Sequence, residues 1–258
     1  MQKNIAIITG ASSGLGLEFA KQIEKGFVLD EIWLIARNLN ALESLGKSFK
    51  RAQAKCLAYD LSLKESIEKI AEELRKQNPN VRLLVNNAGF GKIGNFADLN
   101  KAEQLRMIDV NVLALTDLTQ TTLPYMQKNS AILQVASTIG FVPSPYFAVY
   151  AATKAYVVNF SLALYYELKA KHIHVMAVCP GPVATNFFNV ARSKNEGKST
   201  PFNKILSAKA NAVVTTALTD LQRKRIISIH GLLNKLLTHL SRILPYSLLM
   251  MVLSRRKN

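Results

Sequence analysis

Short runs of β-type residues alternate with longer helical runs from one end of the chain to the other, and this alternation restricts the fold more than any other feature. The first half reads NIAIIT, a helical stretch over 14–25, EIWLIA, a helix over 39–51, AKCLAY, a helix over 63–77 and VRLLVN. The second half adds a helix over 111–126, SAILQVAS, a helix over 149–170, HVMAVC, a helix over 208–221 and RIISIH. Strands separated by helix-length connections pair in parallel through crossovers, not as hairpins. Several strands are almost continuously apolar, which suits a sheet covered on both faces. With 49% hydrophobic and 19% charged residues the chain has ample material for a core. The expectation is an α/β protein: one doubly wound domain over 1–230 with a seven-stranded parallel sheet flanked by helices, and a helical extension over 231–258. The irregular stretch over 180–206 reads as a lid-type loop.

The first strand runs into Thr9-Gly10-Ala11-Ser12-Ser13-Gly14-Leu15-Gly16, which opens the first helix. Glycines at 10, 14 and 16 let the backbone turn tightly, approach a pyrophosphate and pack the helix on the sheet. The helix start adds free N–H groups and a partial positive charge. Gly10, Ser12, Ser13, Gly14, Leu15 and Gly16 are therefore expected to cradle a dinucleotide. A site for an unphosphorylated ribose would carry Asp or Glu at the end of the second strand. Here EIWLIA ends in Arg37 and Asn38. A guanidinium forks onto a 2′-phosphate and no carboxylate repels it, so the pattern favours NADP(H) over NAD(H). The plainer alternative is a solvated arginine at a strand end.

The formal net charge of +16 fits a polyanionic cofactor, an anionic substrate or an anionic membrane surface. Nucleic acid is not expected, because the basic residues lack the aromatic interleaving of a single-strand groove. Cys56 and Cys179 sit in apolar, strand-like runs, too few for a disulfide framework or a metal site. The start, MQKNIAIITG, enters a strand directly without the apolar region of a signal peptide, so the cytoplasm is the expected compartment.

Together with six further pieces in order, the glycine turn makes the chain resemble the short-chain dehydrogenase/reductase family from end to end. Those pieces are Asp60-Leu61 after the third strand, Asn86-Asn87-Ala88-Gly89 after the fourth, Asn111 within a helix, Ser137 after the fifth strand, Tyr150-x-x-x-Lys154, and Pro180-Gly181-Pro182-Val183-x-Thr185. The resemblance implies a Rossmann-type fold and an NADP(H)-dependent oxidoreductase that moves hydride between the nicotinamide and a carbonyl or secondary alcohol. It implies that Tyr150 gives or takes the proton at the substrate oxygen and that Ser137 positions that oxygen. Lys154 would lower the tyrosine pKa and hold the nicotinamide ribose, and Asn111 would support a water relay. Positions 150 and 154 share a helix face, so the ammonium can favour the phenolate; an unperturbed phenol, at about 10, needs such help near neutrality. By the same resemblance Asp60 and Leu61 flank the adenine, and Asn86 to Gly89 steady the central sheet, with Asn87 among the cofactor-binding residues and the Ala88 and Gly89 backbone close to the riboses. Pro180, Gly181 and Val183 wall the nicotinamide, and Thr185 bonds its carboxamide. One departure is Ala136, where many members carry a second serine. The family also implies a homodimer or homotetramer.

The segments expected around the substrate are apolar and aromatic: Phe90, Phe141, Tyr146 and Phe147, with Phe187 and Phe188 in the lid loop. They suit a hydrophobic ketone, a 3-oxoacyl thioester or a steroid-like ring system, and core packing is the alternative. In the extension, Leu232, Leu233, Leu236, Leu237, Leu240, Ile243 and Leu244 recur at helical spacing opposite Lys235, His239 and Arg242, and Pro245 ends the run. The run is too short to span a bilayer. Packing over the site mouth or a second subunit is favoured over lying on a membrane. Two other functions compete with catalysis: a non-catalytic NADP(H) sensor or scaffold, and a peripheral membrane protein acting through this helix.

Overall fold

The computed structural model describes residues 2–187, 191, 207–245 and 247–249. Strands β1 (Asn4–Thr9), β2 (Glu31–Ala36), β3 (Gln53–Ala58), β4 (Asn80–Asn86), β5 (Ala131–Val135), β6 (His174–Val178) and β7 (Ile227–Ser228) form one sheet in the order β3-β2-β1-β4-β5-β6-β7. Every neighbouring pair is parallel. Along β1, Ala6 and Ile8 face one core while Ile5 and Ile7 face the other, and β2 splits Leu34 from Trp33 in the same way. Both faces are thus buried, which is why these strands read as unbroken apolar runs.

Helices α1 (Gly14–Gly26) and α7 (Ala210–Gln222) cover the first face with Phe19, Ile23, Val214 and Ala217. The second face is covered by α3 (Lys64–Gln77), α5 (Leu115–Thr122) and α6 (Ala148–Leu168), through residues such as Ile70, Leu118 and Leu164. Helix α2 (Leu39–Gly46) packs on β3, and its close approach ends it early. A Cβ on Gly46 would lie 2.7 Å from the Ala54 side chain, so the helix expected to reach residue 51 turns off instead.

The helix expected over 111–126 is longer and broken. It starts ten residues earlier as α4 (Lys101–Ile108), passes through a π-helical turn (Asp109–Ala114) into α5 and closes with a 3-10 turn (Leu123–Tyr125). Its true start carries a capping signal: Asn100 accepts a hydrogen bond from the Glu103 backbone N–H at 3.2 Å. The last strand is short, with two ladder residues in place of the six of RIISIH. Helix α8 (Leu232–Ile243) follows it. The lid expectation, Phe188 included, falls for the most part outside the described residues; within them, Val183 pairs with Ala208 in a parallel bridge.

Candidate active site

Strands β1 and β4 lie side by side although the chain runs to opposite edges of the sheet after each, and at such a switch point the carboxyl ends of the strands open a crevice. A cavity of about 1380 Å³ occupies it. Six strands end on its wall, at Gly10, Arg37, Asp60, Ala88, Ser137 and Pro180. Of the expected site residues that are described, all but Gly16, Asn111, Phe141 and Tyr146 line it.

The glycine turn is built for close approach. Gly10 (φ +64°) and Gly14 (φ +56°) adopt left-handed conformations, and a Cβ on Gly16 would lie 2.2 Å from the Gly10 carbonyl oxygen. Thr9 and Asn87 lock the turn to the β4 end. The Thr9 hydroxyl accepts from the Asn87 and Ala88 backbone N–H groups, each at 2.9 Å, and the Asn87 amide donates to the Thr9 carbonyl at 2.9 Å. Asn87 therefore acts here through the backbone of the turn. Thr9 opens the glycine motif in the sequence, but nothing there marks its hydroxyl as the acceptor that ties the turn to β4. At the start of α1, Ser13 makes no side-chain cap and the first turn holds no acidic residue. Its N–H groups are left for an anion from the cavity side. A dinucleotide diphosphate fits this bare, unbranched turn.

At the far end, Arg37 and Asn38 border the cavity and no carboxylate follows β2. The nearby carboxylate, Asp60, is already engaged. It accepts from the Ser62 backbone and hydroxyl at 3.0 and 2.8 Å and pairs with Arg106 at 2.5 Å. Burial resists its ionisation, but the Ser62 bonds and the Arg106 and Arg37 charges prevail and hold its pKa below the ordinary carboxylate range. Arg106 lies on α4, ahead of the helix start at residue 111 that the sequence pattern suggests.

Tyr150, Lys154 and Ser137 converge at the other end, beside the Pro180 wall. Tyr150 is buried between Phe147, stacked at 4.4 Å between ring centroids, and Phe187 at 5.4 Å. Its backing is tight: a Cβ on Gly91 would come within 2.8 Å of the Phe147 ring and 3.0 Å of the Tyr150 ring. Burial pushes the phenol pKa up, against a hydrogen bond with the Ser137 side chain that lowers it. Ser137 also donates to the Pro180 carbonyl at 3.3 Å, tying the serine to the wall.

Lys154 is buried, and its ammonium donates to the Val135 carbonyl at 2.7 Å. Burial lowers its pKa from 10.5 to about 8, against a smaller rise from the nearby Cys179. The ammonium lies 5.7 Å from the Tyr150 ring centroid. Burial is the larger of the two influences on the phenol pKa, ahead of the Ser137 bond.

Asn111 is fully buried behind the cavity, on the π-helical turn, a break in helix geometry often found at functional sites. Its amide donates to the Phe90 carbonyl at 2.9 Å and to the Thr153 hydroxyl at 3.1 Å, and its oxygen accepts from the Phe90 N–H at 3.1 Å. It thereby clamps the Phe90 peptide to α6. Two expected substrate contacts lie elsewhere. Phe141 turns into the packing around Val157 and Cys179, with Arg242 5.1 Å over its ring, and Tyr146 sits exposed in a left-handed turn (φ +62°) whose carbonyl accepts from Gly94. In their place Leu237 and Leu240 of α8, and Leu244 just after it, form part of the wall without having been marked as such in the sequence. Among the described residues no group of His, Cys, Asp and Glu is arranged for a metal, and no helix is long and apolar enough to cross a membrane.

A switch-point cradle for a dinucleotide, joined to a buried tyrosine, serine and lysine, defines the class as a nicotinamide-dependent oxidoreductase. The family model for short chain dehydrogenases matches residues 4–196, and the chain belongs to that family. It is 31% identical to the very-long-chain 3-oxoacyl-CoA reductase of Macaca fascicularis, over 79% of this chain and 66% of that one. Among solved structures, a short-chain dehydrogenase of Sphingobium yanoikuyae in complex with NADPH superposes with a TM-score of 0.76 at 27% identity, covering 89% of this chain and 88% of the other. The 3-ketoacyl-(acyl-carrier-protein) reductase of Brucella melitensis, complexed with NADH, gives 0.72 at 29% identity, covering 88% and 95%.

Proposed function

We propose that this protein reduces a hydrophobic ketone or 3-oxoacyl thioester, or oxidises the matching secondary alcohol, with NADP(H) and with Tyr150 as the acid/base. The observation that carries this reading is the setting of Tyr150: a buried phenol on the cavity wall, bonded to Ser137 and held between two aromatic rings. With its pKa raised by burial, the phenol keeps its proton at neutral pH, which is the form that donates to a carbonyl oxygen. When bound, the reduced nicotinamide supplies the hydride. Ser137 holds the substrate oxygen against the tyrosine, and Phe90, Phe147 and Phe187 enclose its apolar part. Lys154 keeps a positive charge in the dry interior below about pH 8, where it favours negative charge developing on the tyrosine. Asn111 fixes Phe90 and the first turns of α6, and so the place of Tyr150.

Gly10, Ser12, Ser13, Gly14 and Leu15 would hold the diphosphate, Asp60 and Leu61 the adenine side, and Ala88, Gly89, Pro180, Gly181, Val183 and Thr185 the nicotinamide half. The two solved relatives carry NADPH and NADH respectively, so the preference rests on this chain's own residues. Arg37 borders the cavity at the end of β2 where a ribose-binding carboxylate would stand, and Asp60, on the same cavity wall, is paired with Arg106. A guanidinium there favours a 2′-phosphate.

The test is cofactor consumption with a panel of long-chain ketones, 3-oxoacyl thioesters and steroid ketones. NADPH consumption with at least one apolar panel member, several-fold faster than NADH consumption, is expected. No turnover with any of them, despite tight NADPH binding, would favour a cofactor sensor.

A further inference from the structure

Helix α8 is docked inside out. The residues it turns to the body of the protein are polar or small: Asn234 is half-buried, and Thr238 and Ser241 are buried. Asn234 lies against the backbone of the nicotinamide wall so closely that a Cβ on Gly181 would fall 2.6 Å from it, and it donates to the His230 carbonyl at 2.9 Å. Every leucine and isoleucine of the helix is exposed instead, from Leu240 at 42% to Ile243 at 77% and Leu232 at 85%. An ordinary surface helix puts such a stripe in the core. Six large aliphatic side chains on one helix, all facing solvent, make a contiguous patch of a kind that marks a partner surface.

The patch is continuous with the cavity. Leu237 and Leu240 belong to both, being exposed and on the cavity wall, and Leu248 just beyond the helix does the same. Charge selects the partner. Helix α8 carries Lys235 and Arg242 and no aspartate or glutamate, on a chain of net charge +16. Two copies meeting through this face would bring two acid-free, basic surfaces together, which opposes association. An anionic lipid surface satisfies both features, taking the leucines into its acyl boundary and attracting Lys235 and its neighbours.

We propose that α8 lies on anionic membranes and that its leucine rim opens the active-site cavity toward the lipid, so that an apolar substrate passes between bilayer and site without crossing water. The nature of that substrate rests on the reading of the site given above; the docking does not, and its test needs no turnover. The full-length protein is floated with phosphatidylcholine vesicles containing about 30% phosphatidylglycerol and, separately, with pure phosphatidylcholine. Binding to the anionic vesicles at least about tenfold tighter than to the neutral ones is expected. The variant L232S/L236S/I243S changes three exposed residues that do not line the cavity and should bind the anionic vesicles at least about tenfold more weakly with an unchanged melting temperature. Lys235→Glu should weaken binding to the anionic vesicles alone. The proposal is overturned if wild-type protein stays with neither vesicle, if the serine variant binds as wild type does, or if the wild type is a dimer that this variant splits while the vesicles remain bare.

Discussion

Helix α1 turns Phe19, Ala20 and Ile23 into the core and leaves Lys21 and Lys25 in water, whereas helix α8 turns Asn234, Thr238 and Ser241 inward and leaves six leucines and isoleucines outside. Both border the same cavity: α1 presents its amino end to the cofactor cradle, and α8 presents its side to the substrate end. The first arrangement is the one hydrophobic burial produces without a partner. The second leaves apolar surface in water, so the fold alone does not explain it. The contrast separates a half of the molecule whose sequence is set by folding from an end whose sequence is set by what it meets.

The sharpest way to break this contrast is a matched pair of truncations. Phe19→Ala should cost about 3–5 kcal/mol by denaturant unfolding, since it empties a fully buried site. Leu236→Ala should change stability by no more than about 0.5 kcal/mol, because its side chain is largely in solvent. Comparable losses would mean that α8 is packed as α1 is.

Lys154→Met should act in opposite directions on stability and turnover. The buried lysine titrates near 8 instead of 10.5, so between those values the unfolded chain binds more protons than the folded one. Wild-type stability should therefore rise from about pH 8 to 10.5 relative to the methionine variant, with the burial penalty at full strength below pH 8. At pH 7 the variant should melt at or above the wild-type temperature, while turnover falls about 10²- to 10³-fold. Parallel melting temperatures across that pH range would show that Lys154 keeps its ordinary pKa, and so its charge, in the folded protein. A smaller effect belongs to the cradle: Arg37→Asp should raise the KM for NADPH about tenfold to hundredfold and leave that for NADH within about threefold. Equal losses with both cofactors would place the 2′-phosphate elsewhere.

The sequence carried the sheet almost complete, because a strand buried on both faces leaves an unmistakable apolar run, as EIWLIA does in β2. It carried the cradle and the Tyr150–Lys154 pair because a glycine turn and a four-residue helical spacing are local patterns. Local patterns also account for the start of α4, which was missed although Asn100 and Glu103 mark it as a cap. The remainder is not local. Thr9 joins Asn87 across 78 positions, and Arg106 meets Asp60 across 46, contacts that no periodicity reveals. The direction in which α8 faces was illegible for a different reason. Its leucine stripe predicts an apolar face, and only the docking of Asn234 against Gly181 tells that the face points outward.

The central claim is that Tyr150 carries the proton, and Tyr150→Phe tests it with the least disturbance, since the ring that packs between Phe147 and Phe187 is kept. Cofactor affinity and single-turnover reduction should be measured together on this variant. NADPH binding within about threefold of wild type, with reduction slowed at least about 10²-fold, is the predicted result. Reduction at the wild-type rate by a folded, NADPH-bound variant would contradict the account.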